Sequence, residues 1–299
     1  MIQPRGFVDY LQLSWWLIRG QGSSLLIATL LCALSLPLNA TIANTLFPQT
    51  LVQVLGLLLS LFLGFRYSQA YNRWWEARML WGTLVNQSRN WRDLIMRVLP
   101  QELPLSLRRR LLQHVVLLVW CLNAQLRSPK GSSTELVAPA RELALVLKLK
   151  NPSVQLVLQA MAQAQFKLRQ ADWLDSIESR EFGRVQQKLT NALGGLERLR
   201  NQPLPASSTF FIRVLTWVYG YLVFLKLDAL GPITAAVVGW LVFLIFLMAE
   251  RIGTYLERPF VDARFALPMD RFCALISSDL LGSSDPLAQV PASRGPWLR

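Results

Sequence analysis

Residues 51–65 read LVQVLGLLLSLFLGF, and residues 70–91 read AYNRWWEARMLWGTLVNQSRNW. The first stretch carries no charge, whereas the second threads Trp74, Trp75, Trp81 and Trp91 between arginines, a glutamate and asparagines. An apolar run that gives way to an aromatic and basic belt is the pattern of a helix leaving a bilayer on its cytoplasmic side, with Trp74 and Trp75 at headgroup level. Arg73 and Glu76 stand three residues apart and no breaker precedes Gly82, so the helix is expected to run out of the membrane without stopping.

The surroundings extend this reading. No charged residue occurs from Gly20 to Phe65, enough chain for two crossings of roughly 20 residues each. Pro37, Asn39 and Pro48 interrupt it, giving helix one over about 24–42 and helix two over about 49–68. A second apolar block supplies helix three over 210–225 and helix four over 233–249, separated by KLDALGP. Lysines and arginines crowd 66–213 and follow helix four, while the short connections hold only Lys226 and Asp228. Both termini and the middle region are therefore expected in the cytoplasm. The organisation is 1–70, an amphipathic segment with helices one and two; 71–205, a cytosolic helical region; 206–252, helices three and four; and 253–299, a cytosolic segment and tail.

Within 71–205 the segments LRRRLLQHVVLLVWCLNAQLR, TELVAPARELALVLKLK and SIESREFGRVQQKLTNALGGLERLR carry apolar residues near helical spacing. The run from Val115 to Leu122 is too short and too charge-flanked to span a bilayer, and is expected to be soluble core. The stretch LRSPKGSST is a loop, KNPS a helix break, and the tail GSSDPLAQVPASRGPWLR is expected to be extended or disordered. The fold class is thus an all-α membrane protein with a large helical cytosolic part.

Composition excludes several functions. The chain has 299 residues, is 53% hydrophobic and has a net charge of +13, with mean hydropathy +0.32. The basic balance fits positive-inside loops, and no nucleic-acid-binding motif accompanies it. Cys32, Cys121 and Cys273 lie far apart and His114 is the single histidine, so neither a disulfide framework nor a metal site is indicated. No Gly-rich phosphate loop or nucleophile elbow points to an enzyme. Glu250 and Arg251 end helix four; there the arginine is expected to snorkel and the glutamate to pair with local donors.

On helix two, Leu57, Leu61 and Phe65 recur every four residues, and Ser68 and Asn72 continue the line. The stripe either packs against lipid or another helix, or forms stacked apolar rings around an axis of several subunits, a geometry that gates ions by dewetting. Gly56 and Gly64 permit close helix approach.

The stretch GFRYSQAYNRWWEARMLWGTLVNQSRN resembles the signature of the bestrophins, specifically their bacterial branch: Gly64-Phe65, then Arg73-Trp74-Trp75, Glu76, Trp81, Asn86 and Arg89. WWLIRGQGSS, GGLERLRNQPLP and AERIGTYLERPF, with Glu250, Pro259 and Phe260 in order, extend the resemblance over nearly the whole chain. It implies a homopentameric ion channel of the bacterial inner membrane with four membrane helices per subunit and a central pore. It puts the membrane neck at Leu57, Leu61 and Phe65, and a cytosolic constriction at Ile177, counted back from Leu204-Pro205, where ordinary helix core is the alternative. Animal bestrophins bind calcium through an acidic run after Pro-Phe. Here RPFVDARFALPMDRF offers only Asp262 close by, so no calcium or other cofactor is expected, since calcium takes six to eight oxygens.

Selectivity signals conflict at this level. The net charge and the positive edges of a Phe65 ring favour anions, the family default. Asp172, Asp175, Glu178 and Glu181 around Ile177 favour cations, which some bacterial members conduct. Monovalent anions are preferred slightly, sodium is the alternative cargo, and a membrane-anchored scaffold or sensor is the alternative of another class.

Overall fold

A computed structural model of the chain describes residue 15 and residues 18–35, 47–128, 136–226, 232–261 and 266–289. Among these residues the fold is all helical: α1 (Gly22–Ser35), α2 (Gln49–Arg97), α3 (Leu105–Arg127), α4 (Ala138–Val146), α5 (Val154–Gln170), α6 (Ser176–Asn201), α7 (Ala206–Lys226), α8 (Pro232–Leu256) and α9 (Met269–Leu281). The chain divides into two compact units. One holds the described residues up to Trp74 with Pro203–Arg258, and the other holds Trp75–Gln202 with the described residues from Pro259 onward.

The first unit contains the apolar helices. Gln49–Arg97, Ala206–Lys226 and Val237–Leu256 are long and apolar enough to cross a membrane, and α1 is a shorter apolar helix; the rest of the expected helix one lies outside the described residues. Ala28, Cys32, Phe224, Phe243 and Leu247 form its core. Close approach depends on missing side chains: a Cβ on Gly220 would lie 2.1 Å from the Phe243 ring, and one on Gly56 would lie 2.5 Å from the Tyr219 hydroxyl oxygen. Tyr219 in turn meets Phe246 edge to face, with ring centroids 5.2 Å apart. Gln21 Nε2 donates to the Leu247 carbonyl at 3.0 Å and ties the start of α1 to α8.

The second unit is built around α3. Val115 through Leu122 are all buried, so this segment is core, and its uniform apolarity is the mark of a helix wrapped on every side. α4, α5, α6 and α9 pack on it. The C-terminal part of α2 adds two tryptophans: Trp81 stacks on Phe272 of α9 at 5.6 Å, and Trp91 meets Phe182 of α6 edge to face at 5.1 Å while donating to the Leu111 carbonyl at 3.1 Å. α2 is a single helix of 49 residues, running through Gly82 and ending at Arg97. There Arg108 reaches back to the carbonyls of Ile95 and Leu99 at 3.1 and 3.0 Å, supplying donors where a helix end has none of its own.

Two helix ends in this unit share an unusual cap. At the end of α4, Leu149 N–H donates to the Ala144 carbonyl and Lys148 N–H to that of Leu145, both at 2.9 Å. At the end of α5, Trp173 N–H donates to Leu168 at 3.0 Å and Asp172 N–H to Arg169 at 3.2 Å. Both are Schellman motifs, whose turning residue is ordinarily glycine. Here it is Lys148, with φ 58°, and Asp172, with φ 54°.

The C-terminal segment adds structure for which the sequence reading had no element. Met269–Leu281 is a helix with Met269, Cys273, Ile276 and Leu280 buried. The beginning of the expected disordered tail is also structured: Pro286–Ala288 forms a short 3-10 turn capped by Asp285, with Leu287 buried. A proline after an Asp cap and one inward leucine are enough to fix the turn.

Burial of His114 predicts a pH dependence. Desolvation holds its pKa below 6.5, reinforced by the nearby Arg110 guanidinium and opposed by the hydrogen bond to the Arg110 carbonyl. The unfolded chain therefore binds more protons as pH falls, so this stabilisation is full above 6.5 and fades as pH descends toward the folded value. Thermal unfolding in detergent should show a midpoint falling between pH 7.5 and 5, with a shallower slope in His114→Gln.

Candidate functional site

The 3.6-residue period of α2 divides it into a buried and an accessible side. Val52, Gly56, Leu59, Arg66 and Ala70 are buried in the first unit, and Ala77, Trp81, Leu84, Ser88 and Trp91 in the second. Two residues further along each of the first positions, roughly 200° round the helix, the side chains are exposed: Val54, Leu61 and Ser68 follow Val52, Leu59 and Arg66. Leu57, Leu61 and Phe65 lie on this accessible side at 73%, 52% and 58% exposure. Ser68 and Asn72 continue it, followed by Trp75 and Met79, then by Asn86 and Asn90.

The opposite side is anchored by charge. Arg66, only 5% exposed, donates through Nε to Glu257 at 2.7 Å and through Nη1 to Glu250 at 3.1 Å, while its Nη2 donates to Thr254 Oγ1 at 3.0 Å. Glu250 also receives Arg213 Nη2 from α7 at 3.2 Å. Arg73, two turns beyond Arg66, donates to the Glu257 backbone carbonyl at 3.2 Å. One guanidinium fork thus holds Glu250 and Thr254 of α8 and Glu257 just beyond its end, a geometry that lysine cannot reproduce. Glu250 has the expected local donor in Thr254 Oγ1, at 3.4 Å, and adds partners on two other helices. Arg251 sets its guanidinium over the Tyr255 ring at 5.1 Å.

The signature residues find separate roles. Glu76 pairs with Arg198 of α6 and Arg73 with the end of α8. Trp74 stacks on Tyr71, with centroids 6.4 Å apart, Trp75 is half exposed, and Pro259 and Phe260 are buried. The Pro259 carbonyl accepts from Leu267 N–H at 2.9 Å.

Ile177 lies in the first turn of α6 and is 61% exposed, so it is not core of the subunit. The acidic residues around it have local work. Asp175 and Glu178 close a capping box, with Glu178 N–H donating to Asp175 at 2.6 Å and Asp175 N–H to Glu178 at 3.0 Å. Glu181 pairs with Arg184 at 2.8 Å, and Asp172 is the turning residue of the α5 cap. Among the described residues no three of His, Cys, Asp and Glu gather at metal-holding distance; Asp262 lies outside them. Burial pushes the Cys121 thiol up to about 12 and raises that of Cys273, leaving both protonated.

The sequence model described as Bacterial/Fungal Bestrophin protein matches residues 21–282. Among curated relatives, a voltage-dependent anion channel-forming protein of Nostoc sp. is 30% identical over 255 residues, covering 83% of this chain and 79% of the relative. One of the same description from Synechocystis sp. is 27% identical, covering 81% and 77%. The crystal structure of a bacterial bestrophin homologue from Klebsiella pneumoniae superposes with a TM-score of 0.73 at 26% identity, covering 89% of this chain and 98% of that one.

The Arg66 fork gives a direct prediction. Arg66→Met strands Glu257 and leaves Glu250 with Arg213 as its one cation, and should destabilise the protein by about 3–5 kcal/mol, as breaking a buried pair does. Arg66→Lys should lose distinctly less. Thermal unfolding of the two variants in detergent measures the difference.

Proposed function

The chain belongs to the bacterial and fungal bestrophin family, and on that footing we propose that it is a passive homopentameric channel of the bacterial inner membrane for small monovalent anions, chloride foremost. In this reading α1, α2, α7 and α8 cross the bilayer, and the termini and 71–205 are cytoplasmic. Five copies of α2 surround one axis, with Leu57, Leu61 and Phe65 as stacked apolar rings at the neck and Ile177 as a second ring in the cytosol.

The observation that carries this reading is the accessible side of α2. A face packed on the subunit's own helices would be buried. This one keeps Leu57, Leu61 and Phe65 uncovered within the subunit and then turns polar through Ser68 and Asn72 on the same line. Apolar rings followed by polar rings suit a path that ions enter hydrated and cross by brief dehydration. Arg66 and Arg213 together balance Glu250 and Glu257, so among the described residues of the first unit no carboxylate is left unpaired as the titratable carrier that coupled transporters use.

Anion preference draws on the net charge of +13, multiplied around a ring, and on relatives that carry the anion-channel description. The sodium reading rests on Asp172, Asp175, Glu178 and Glu181. Three of these four are engaged in the capping box or with Arg184, which weakens an acidic ring at Ile177. Gating without calcium belongs to the same proposal, because one nearby aspartate falls short of the oxygens calcium needs.

Purified protein in a planar bilayer under a KCl gradient should reverse near the chloride potential and follow chloride replacement. Reversal near the potassium potential would overturn the anion assignment. The combined Leu57→Ala, Leu61→Ala, Phe65→Ala variant should raise conductance severalfold, and an unchanged conductance would overturn the neck. A monomeric mass in mild detergent would favour the scaffold reading.

A further inference from the structure

A cleft of about 650 Å³ in the second unit lies apart from the α2 face. Its floor is apolar and buried, formed by Leu111 and Leu168 with His114. Trp173 and Leu149 add apolar wall, and these are the residues that follow the two left-handed turns closing α5 and α4. The cap geometry thus directs both apolar side chains to one place.

The polar lining is one-signed: Arg110 from α3, Lys148 from the α4 cap and Lys167 from α5, with no aspartate or glutamate. Among the described residues none of the three is ion-paired. Lys167, in the last turn of α5, also suits the negative end of its own helix. Arg110 lies in the second turn of α3, away from the carbonyls at the negative end that would favour a cation. Lys148 holds φ 58°, a conformation that glycine adopts freely and lysine does not. Lys148 lines the cleft, and strain kept at such a residue is the kind that marks binding sites. His114 Nδ1 is 2.7 Å from the Arg110 carbonyl, so its ring is fixed on the cleft floor with Nε2 as its remaining polar atom.

We propose that this cleft is a binding site for a small amphipathic monoanion, a carboxylate on an aromatic or short aliphatic body. Its charge is taken by Arg110, Lys148 and Lys167, and its body lies against Trp173, Leu149 and Leu111. The volume falls within the range of small-molecule sites, about 300–1,000 Å³. Cations at the rim and apolar residues on the floor select a ligand with one charged end. The site does not depend on the channel reading, since every group it uses belongs to the second unit.

The single histidine makes the test direct, because imidazole labelling yields one signal from the cleft floor. Full-length protein in nanodiscs, with labelled histidine, is titrated with phenylacetate, phenylacetamide and phenethylammonium. Phenylacetate should shift the His114 resonance saturably, and the other two should not. Lys148→Gly should weaken phenylacetate binding at least about tenfold, equivalent to 1.4 kcal/mol, while raising the thermal midpoint by about 2–4 °C as the strained turn relaxes. That opposition separates a lost ligand contact from a lost fold, and Lys167→Gln should weaken binding alike. No shift with phenylacetate, an equal shift with phenylacetamide, or undiminished binding in Lys148→Gly would each overturn the site.

Discussion

The Arg66 fork is the interaction on which the membrane unit depends. A guanidinium that is 5% exposed, at the end of an apolar span, is tolerable only if its charge and its donors are met. Glu250 and Thr254 of α8 and Glu257 just after it meet them, and Arg213 of α7 completes the charge balance at Glu250. Apolar packing alone lets a helix turn about its axis at modest cost, because one leucine replaces another in a greasy contact. A planar fork with two fixed carboxylates does not. Arg66 thereby sets the azimuth of α2, and the residues on its far side face away from α8 as a consequence.

The length of α2 gives that azimuth reach. At 1.5 Å per residue its 49 residues extend about 73 Å, more than twice a hydrocarbon core of about 30 Å. One unbroken helix carries its rotation along its length. In the proposed pore, an anchor at Arg66 therefore governs the direction of Phe65, one residue before it, and of Asn72, nearly two turns after it. Arg108 at the C-terminal end, and Trp81 and Trp91 in the second unit, hold the same helix where it is no longer apolar.

Local periodicity made α2 and the core of α3 legible in the sequence, because both depend on spacing within one segment. The Arg66 partnership was not, since Glu250 lies 184 residues away and nothing local distinguishes it from a glutamate that pairs with a neighbour. α9 is hard to read locally although Met269, Cys273, Ile276 and Leu280 carry a helical period; the helix is short and begins after a proline. The Schellman turns at Lys148 and Asp172 escaped because their usual signal is glycine, which neither position has. The cleft between them depends on two helices and two capping turns meeting in space, and no single segment encodes it.

The acidic group around Ile177 shows how structure changes the weight of a sequence signal. Counted along the chain, Asp172, Asp175, Glu178 and Glu181 are four negative charges beside one apolar residue. In the fold, Asp175 and Glu178 close the N-terminus of α6, where the helix field already favours negative charge, and Glu181 shares its charge with Arg184. Arg180 and Arg184 on the same helix return two positive charges. A constriction built from five such turns would present caps and ion pairs more than a bare acidic ring. In the proposed pentamer, the field left to act on a passing ion would be that of the basic surplus of the chain, which favours anions.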